Sequence, residues 1–191
     1  MTVPVQRLAV SALPALREHF LALGPDDVRL RFGSHMRAEA ILAYVERIDF
    51  EHDAVFGVYD DALKLVGVAH AAFADEVAEL GVSVLEGHRG KGIGSALVAR
   101  AGAHARNRFY DRLFIHCLAE NAAMMHIARK IGMRICVDAG EADAFVHLPP
   151  ADAASVAGEF VDQQLALFDY ALKARVAAMR RVASSVASPG A

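Results

Sequence analysis

The sequence predicts an α/β (α+β) chain: a mixed, mostly antiparallel sheet of six to seven strands flanked by helices, with an extra long C-terminal helix. Three observations carry this. Apolar runs follow one another between Ala54 and Leu85, separated by the turn-like segments Asp60-Asp61-Ala62 and Ala74-Asp75-Glu76, as in consecutive hairpins. An alternating pattern, Leu80, Val82, Val84, enters the glycine-rich stretch Arg89-Gly-Lys-Gly-Ile-Gly94, and a helical pattern follows at once. After Pro149-Pro150, Val161, Leu165, Phe168, Leu172, Val176 and Met179 form a stripe of helical period.

Taken in order, Val5 to Val10 predicts a first strand. A short helix after Pro14 carries Leu16, Phe20 and Leu23 and is stopped by Gly24-Pro25. Asp26 and Asp27 open a turn before Val28-Arg-Leu-Arg-Phe32, and Arg37 to Arg47 predicts a second helix with Ile41, Leu42, Val45 and Ile48 toward a core. Asp49 to Asp53 reads as a connecting loop in which Glu51, His52 and Asp53 are solvated. Strands are expected at Ala54 to Tyr59, Leu63 to Phe73 and Val77 to Leu85, then a helix from Ile93 to about Arg106. Leu113 to Leu118 is a short apolar strand. Asn121 opens a helix carrying Met124, Met125, Ile127, Ala128 and Ile131, which Gly132 ends. Met133 to Val137 and Ala144 to Leu148 close the core as a hairpin around Asp138-Ala-Gly140.

The expected organisation is one domain over residues 1–150, a helical extension over 151–182 and a disordered tail over 183–191. At 1.5 Å per residue, the extension would reach roughly 45 Å, more than the width of such a domain. Its stripe therefore packs within the subunit or across a homodimer, and the sequence leaves both readings open.

Composition excludes several classes. A formal net charge of −3 argues against general nucleic-acid binding. The longest uncharged apolar stretches, such as Leu65 to Ala74, are too short to span a bilayer, and no leader pattern opens the chain. Two cysteines, Cys117 and Cys136, make no disulfide framework and fit a reducing, cytoplasmic setting. The nine histidines are scattered, with no zinc-type pairing to cysteines, so no metal site is expected.

The strand–turn–helix at Val82 to Leu97 is the chemically informative stretch. It sets free backbone N–H groups at the positive end of a helix, a ready site for a phosphate or pyrophosphate. Gly90, Gly92 and Gly94 let an anion approach the backbone, and Arg89 and Lys91 add charge. The glycine spacing is neither that of a P-loop nor G-x-G-x-x-G. A plain structural turn is the bland alternative.

Val82-x-Val84-x-x-x-x-Arg89-x-x-Gly92-x-Gly94 resembles the acetyl-coenzyme A motif of the GNAT N-acetyltransferases, [Q/R]-x-x-G-x-[G/A]. Asn121-Ala-Ala-Met-Met-His-Ile-Ala-Arg-Lys130-Ile-Gly132-Met133 is similar to the family's N-x-x-A-x-x-L-Y-x-K-x-G-F. The resemblance covers Val5 to Leu148. Arg31-Phe32, Ile48-Asp49-Phe50, Ala78-Glu79-Leu80 and Leu118-Ala-Glu-Asn121-x-x-Met124 resemble, more narrowly, the GNAT domain of bacterial protein-lysine acetyltransferases. Two departures stand out: Ala128 replaces the tyrosine that often protonates the leaving thiolate, and Met133 replaces a phenylalanine.

The resemblance implies an acyltransferase that moves an acetyl group from acetyl-CoA to a primary amine, either a protein lysine or a small amine. It implies that Val82, Val84, Arg89, Gly90, Lys91, Gly92, Ile93, Gly94, Ser95 and Asn121 hold acetyl-CoA, with Asn121 also a natural helix N-cap. It makes Glu79 the general base, because an amine must shed its proton to attack. Glu79 as a solvated strand residue, or as the partner of an arginine, is the competing reading. The rival function is a non-catalytic acyl-CoA sensor, which Ala128 favours and Glu79 opposes. Acceptor specificity is expected in Leu23 to Asp53 and around His70 to Glu76.

Overall fold

The computed structural model describes residues 3–186. The seven strands are β1 Gln6–Leu8, β2 Ala54–Tyr59, β3 Leu65–Ala74, β4 Val77–Val84, β5 Arg112–Leu118, β6 Arg134–Asp138 and β7 Glu141–His147. The helices are α1 Leu13–Leu21, α2 Pro25–Phe32, α3 Ala38–Glu46, α4 Ile93–Asn107, α5 Ala122–Lys130 and α6 Ala153–Val186. The strands form one sheet in the order β1-β2-β3-β4-β5-β7-β6, antiparallel at every junction except β4 with β5.

Local chemistry explains where the elements depart from expectation. The segment expected to begin with a turn at Asp26 is helix α2, with Pro25 in its first turn, Asp26 and Asp27 at its positive end and Gly33 at φ 78° closing it. That is the preferred placing of proline, acids and glycine around a helix. Strand β3 starts at Leu65 rather than Leu63. The Asp60 carboxylate accepts from the Ala62 and Lys64 N–H groups, and Leu63 sits at φ 63°, so the turn is longer. Helix α6 extends to Val186; the rest of the tail expected over Ala183–Ala191 lies outside the described residues.

The alternation of β4 gives the sheet two unlike faces. Val84 pairs with Gly67, and a methyl group at Gly67 would fall 2.6 Å from Ile93 and 3.1 Å from Leu97. Val82 and Val84 therefore face α4. Glu79 pairs with Ala72 and Gly81 with His70, whose ring reaches Tyr44 of α3, so Glu79 and Gly81 face the α1–α3 side. Buried Leu80, Leu97, Val98, Leu113 and Ile115 fill the α4 side; Leu16, Phe20 and Val45 fill the other. Apolar burial of this kind is the main stabilising term.

Candidate active site

β4 and β5 pair only from Val77 to Glu79 against Arg112 to Phe114. Past that point both strands continue, each still paired on its outer side, without bridging one another. The sheet therefore opens a wedge whose apex is Glu79 and whose walls carry strand-edge amides with no strand partner. Glu79 is exposed at this apex.

The glycine turn lies at the mouth of the wedge. Gly92 is the N-cap of α4 at φ 79°, and Gly90 lies at φ 73°. Both are left-handed positions that residues with a Cβ adopt only under strain. Gly94 brings α4 close to α5: a methyl group there would come 2.9 Å from the end of the Ile127 side chain. Helix α4 has fifteen residues, no capping side chain and no acid in its first turn. The orphan N–H groups of that turn and the helix dipole remain available to an anion. Among the described residues, the turn fits the pyrophosphate of an acyl-CoA.

A cavity of about 500 Å³ runs from this turn along β4. Of the ten positions expected to hold the cofactor, Val82, Val84, Arg89, Gly90, Gly92, Ile93, Gly94, Ser95 and Asn121 line it and Lys91 does not. Lys91 instead donates to the Gly87 carbonyl at 3.1 Å. Arg89 is ion-paired with Asp27 of α2 and donates to the Val84 carbonyl at 3.3 Å, so it ties α2 to the turn. Asn121 caps α5 by accepting from the Met124 N–H at 3.1 Å, while its amide donates to the Leu30 carbonyl at 3.4 Å. Glu79 is outside the cavity lining, three residues upstream of Val82 on the same strand. Ala128 is 1 % exposed and packs in the core, so its position supplies no acid.

The opposite face holds a polar cluster the sequence reading missed. Arg31 Nη2 donates to the Tyr44 hydroxyl at 2.9 Å, Tyr44 meets His70 Nδ1 at 2.8 Å, and His70 Nε2 meets Asp53 at 2.8 Å. Burial lowers the His70 pKa, against the raising effect of Asp53, and burial raises that of Tyr44. The consistent proton arrangement is Tyr44 O–H donating to neutral His70, whose Nε2–H donates to Asp53. Asp53 is thus not the solvated loop residue expected. Behind it, buried His19 meets the Leu65 carbonyl at 3.0 Å and the Ser83 hydroxyl at 2.8 Å. Burial pushes its pKa down to about 4, so the ring is neutral, donating to the carbonyl and accepting from Ser83. The Arg31-Phe32 pair singled out in the sequence was the signal that touched this cluster.

Known proteins agree with this geometry. Residues 21–133 match the family described as Acetyltransferase (GNAT) family. Streptothricin acetyltransferase of Streptomyces lavendulae is 31% identical over 80 residues, covering 42% of this chain and 42% of that protein. Acetyltransferase Pat of Mycolicibacterium smegmatis is 29% identical over 130 residues, covering 65% of this chain and 39% of that one. The chain thus spans less than half the length of both relatives. The GNAT domain of S. lividans PAT superposes with a TM-score of 0.65 at 19% identity, over 75% of this chain and 89% of that one. The chain belongs to the GNAT acetyltransferase family.

Proposed function

We propose that this protein transfers an acetyl group from acetyl-CoA to a primary amine, with Glu79 as general base. The observation that carries the reading is the uncapped positive end of α4 opening onto a strand wedge with a carboxylate at its apex. Acetyl-CoA, when bound, supplies a thioester whose carbonyl carbon accepts the amine. The turn from Arg89 to Ser95 holds the diphosphate and fixes the reach of the donor, a proximity contribution. Val82 and Val84 give the donor an apolar wall. Free edge amides in the wedge stabilise the negative charge that develops on the carbonyl oxygen. Glu79 takes the proton that the amine must lose. The new C–N bond replaces the C–S bond, and coenzyme A leaves as a thiolate that takes its proton from solvent, position 128 supplying none.

A protein lysine or a small amine fits this chemistry. The non-catalytic sensor is retained as a second reading because Ala128 removes the usual acid. The test mixes protein, acetyl-CoA and a panel of amines and follows free thiol. Amine-dependent thiol release supports transfer; tight acetyl-CoA binding without release across the panel supports the sensor.

The homodimer through α6 is likewise a proposal. Ala166 is buried against the chain's own domain and Lys173 donates to the Tyr59 carbonyl at 3.0 Å, whereas Leu165, Phe168, Leu172 and Met179 are 54–69 % exposed. Those four recur three, four and seven residues apart, the spacing of a helix–helix seam. Asp162 and Asp169 precede Arg175 and Arg180, so an antiparallel second copy would meet opposite charge. Light scattering checks it: a dimer that Phe168→Glu converts to monomer supports the proposal, and a wild-type monomer sinks it.

A further inference from the structure

Arg31 is the most conspicuous unspent charge at the site. Its guanidinium lies flat against β4 at Gly81, where a methyl group would collide with Cζ, Nη1 and Nη2. The rings of Phe32 and Tyr44 hold it at 4.9 and 5.7 Å, and the Tyr44 hydroxyl accepts one of its N–H groups. Its Nε is buried with no hydrogen-bond partner, and among the described residues no carboxylate forms an ion pair with it. Asp53 is separated from it by Tyr44 and His70. Glu79, on the same face, makes no ion pair with it either, which removes the reading of Glu79 as that arginine's partner.

A cation set into a groove without an anion carries a desolvation cost that two aromatic faces and one hydroxyl offset only in part. A planar guanidinium with unused donors is the side chain best matched to a carboxylate. Arg31 also lines the 500 Å³ cavity beside Ser83 and Leu30, so a ligand can reach it. Along an extended strand, Gly81 is roughly 7 Å from Glu79. An amine deprotonated by Glu79 would therefore lie several bonds from a group held by Arg31.

We propose that Arg31 is a carboxylate-binding residue of the acceptor site, and that the acceptor class is an amine bearing a carboxylate several bonds away. This rests on the acetyl-transfer reading above. Tyr44, His70 and Asp53 position the guanidinium, and Gly81 gives it room. The one other source of the same chemistry is a carboxylate on the acyl chain of the donor.

The experiment compares 5-aminovalerate with pentylamine, and lysine with cadaverine, as acceptors for wild type, Arg31→Met and Arg31→Lys. The wild type should favour the carboxylate member of each pair by about tenfold to a hundredfold in kcat/KM, the range of one charge-assisted contact. Arg31→Met should bring the ratio near one with the acetyl-CoA KM unchanged, and Arg31→Lys should restore part of it. A ratio near one in the wild type, or a preference that survives Arg31→Met, overturns the proposal while leaving transfer intact. A preference instead for succinyl-CoA over butyryl-CoA, lost in Arg31→Met, keeps the carboxylate site and assigns it to the acyl chain. Should no amine release thiol, the transfer reading fails, and calorimetry decides the site separately. Binding of 5-aminovalerate but not pentylamine, lost in Arg31→Met, upholds it; equal or absent binding overturns it.

Discussion

The two faces of β4 are built by different means. On the α4 side, the proposed donor site draws mostly on one stretch, Val82 to Ser95, and on backbone geometry: two left-handed glycines, an uncapped helix end and two valines. On the α1–α3 side, Arg31, Tyr44, Asp53 and His70 come from four separate segments and meet only through side chains. Backbone recognition suits a donor whose diphosphate does not vary, and a side-chain cluster suits an acceptor that differs from enzyme to enzyme. Glu79 lies on the α1–α3 side, at the apex of the wedge where donor and acceptor would meet.

The largest effect should come from that meeting point. Glu79→Gln is expected to lower kcat/KM by about 10²- to 10⁴-fold, the range of general-base catalysis, and to remove the corresponding limb of the pH–rate profile. Acetyl-CoA affinity should be unchanged. An unaltered profile would remove Glu79 from the mechanism.

The acceptor side should also be the acid-labile one. His19 is neutral in the fold, with a pKa near 4 against 6.5 when unfolded. Below pH 6.5 the unfolded chain takes up a proton the folded chain refuses, so stability is full above that pH and falls as the pH drops toward 4. The loss is about 3 kcal/mol over that window. Denaturant unfolding at pH 7.5 and 4.5 should show it, with a smaller drop in His19→Gln. A stability flat with pH in the wild type would contradict the burial argument.

The donor turn breaks through backbone strain. Gly92→Val places a branched residue at φ 79°, a cost of roughly 1–2 kcal/mol, and should weaken acetyl-CoA binding about fivefold to thirtyfold. Acceptor KM should move far less, as initial rates at saturating donor would show. The smallest effect is expected for Tyr44→Phe, which strips one partner each from Arg31 and His70. It should cost about 1–2 kcal/mol in thermal unfolding and raise acceptor KM severalfold.

The same contrast governs what could be read in advance. The succession of strands and the glycine turn were legible because periodicity and local motifs are written in neighbouring residues; the splay of β4 from β5 was not. Nine of the ten expected donor residues line the cavity, and the Lys91 side chain lies against the Gly87 carbonyl instead. Asp53 was unreadable because a lone acid in a charged loop carries no sign that a histidine seventeen residues on will bury it. Asp27 likewise gives no local hint that it will engage Arg89 from another helix. Reading Pro25 and the two aspartates as a turn, rather than as the start of α2, also hid the face that presents Arg31.

The division of labour across β4 is tested most directly by Gly81→Ala. Its methyl group would displace the Arg31 guanidinium, to which its three nearest atoms all belong. Measured by initial rates over a grid of both substrates, the variant should show an acceptor KM raised about fivefold to tenfold and an acetyl-CoA KM within error of the wild type. Equal increases in both constants, or a change confined to acetyl-CoA, would contradict the assignment of the two faces.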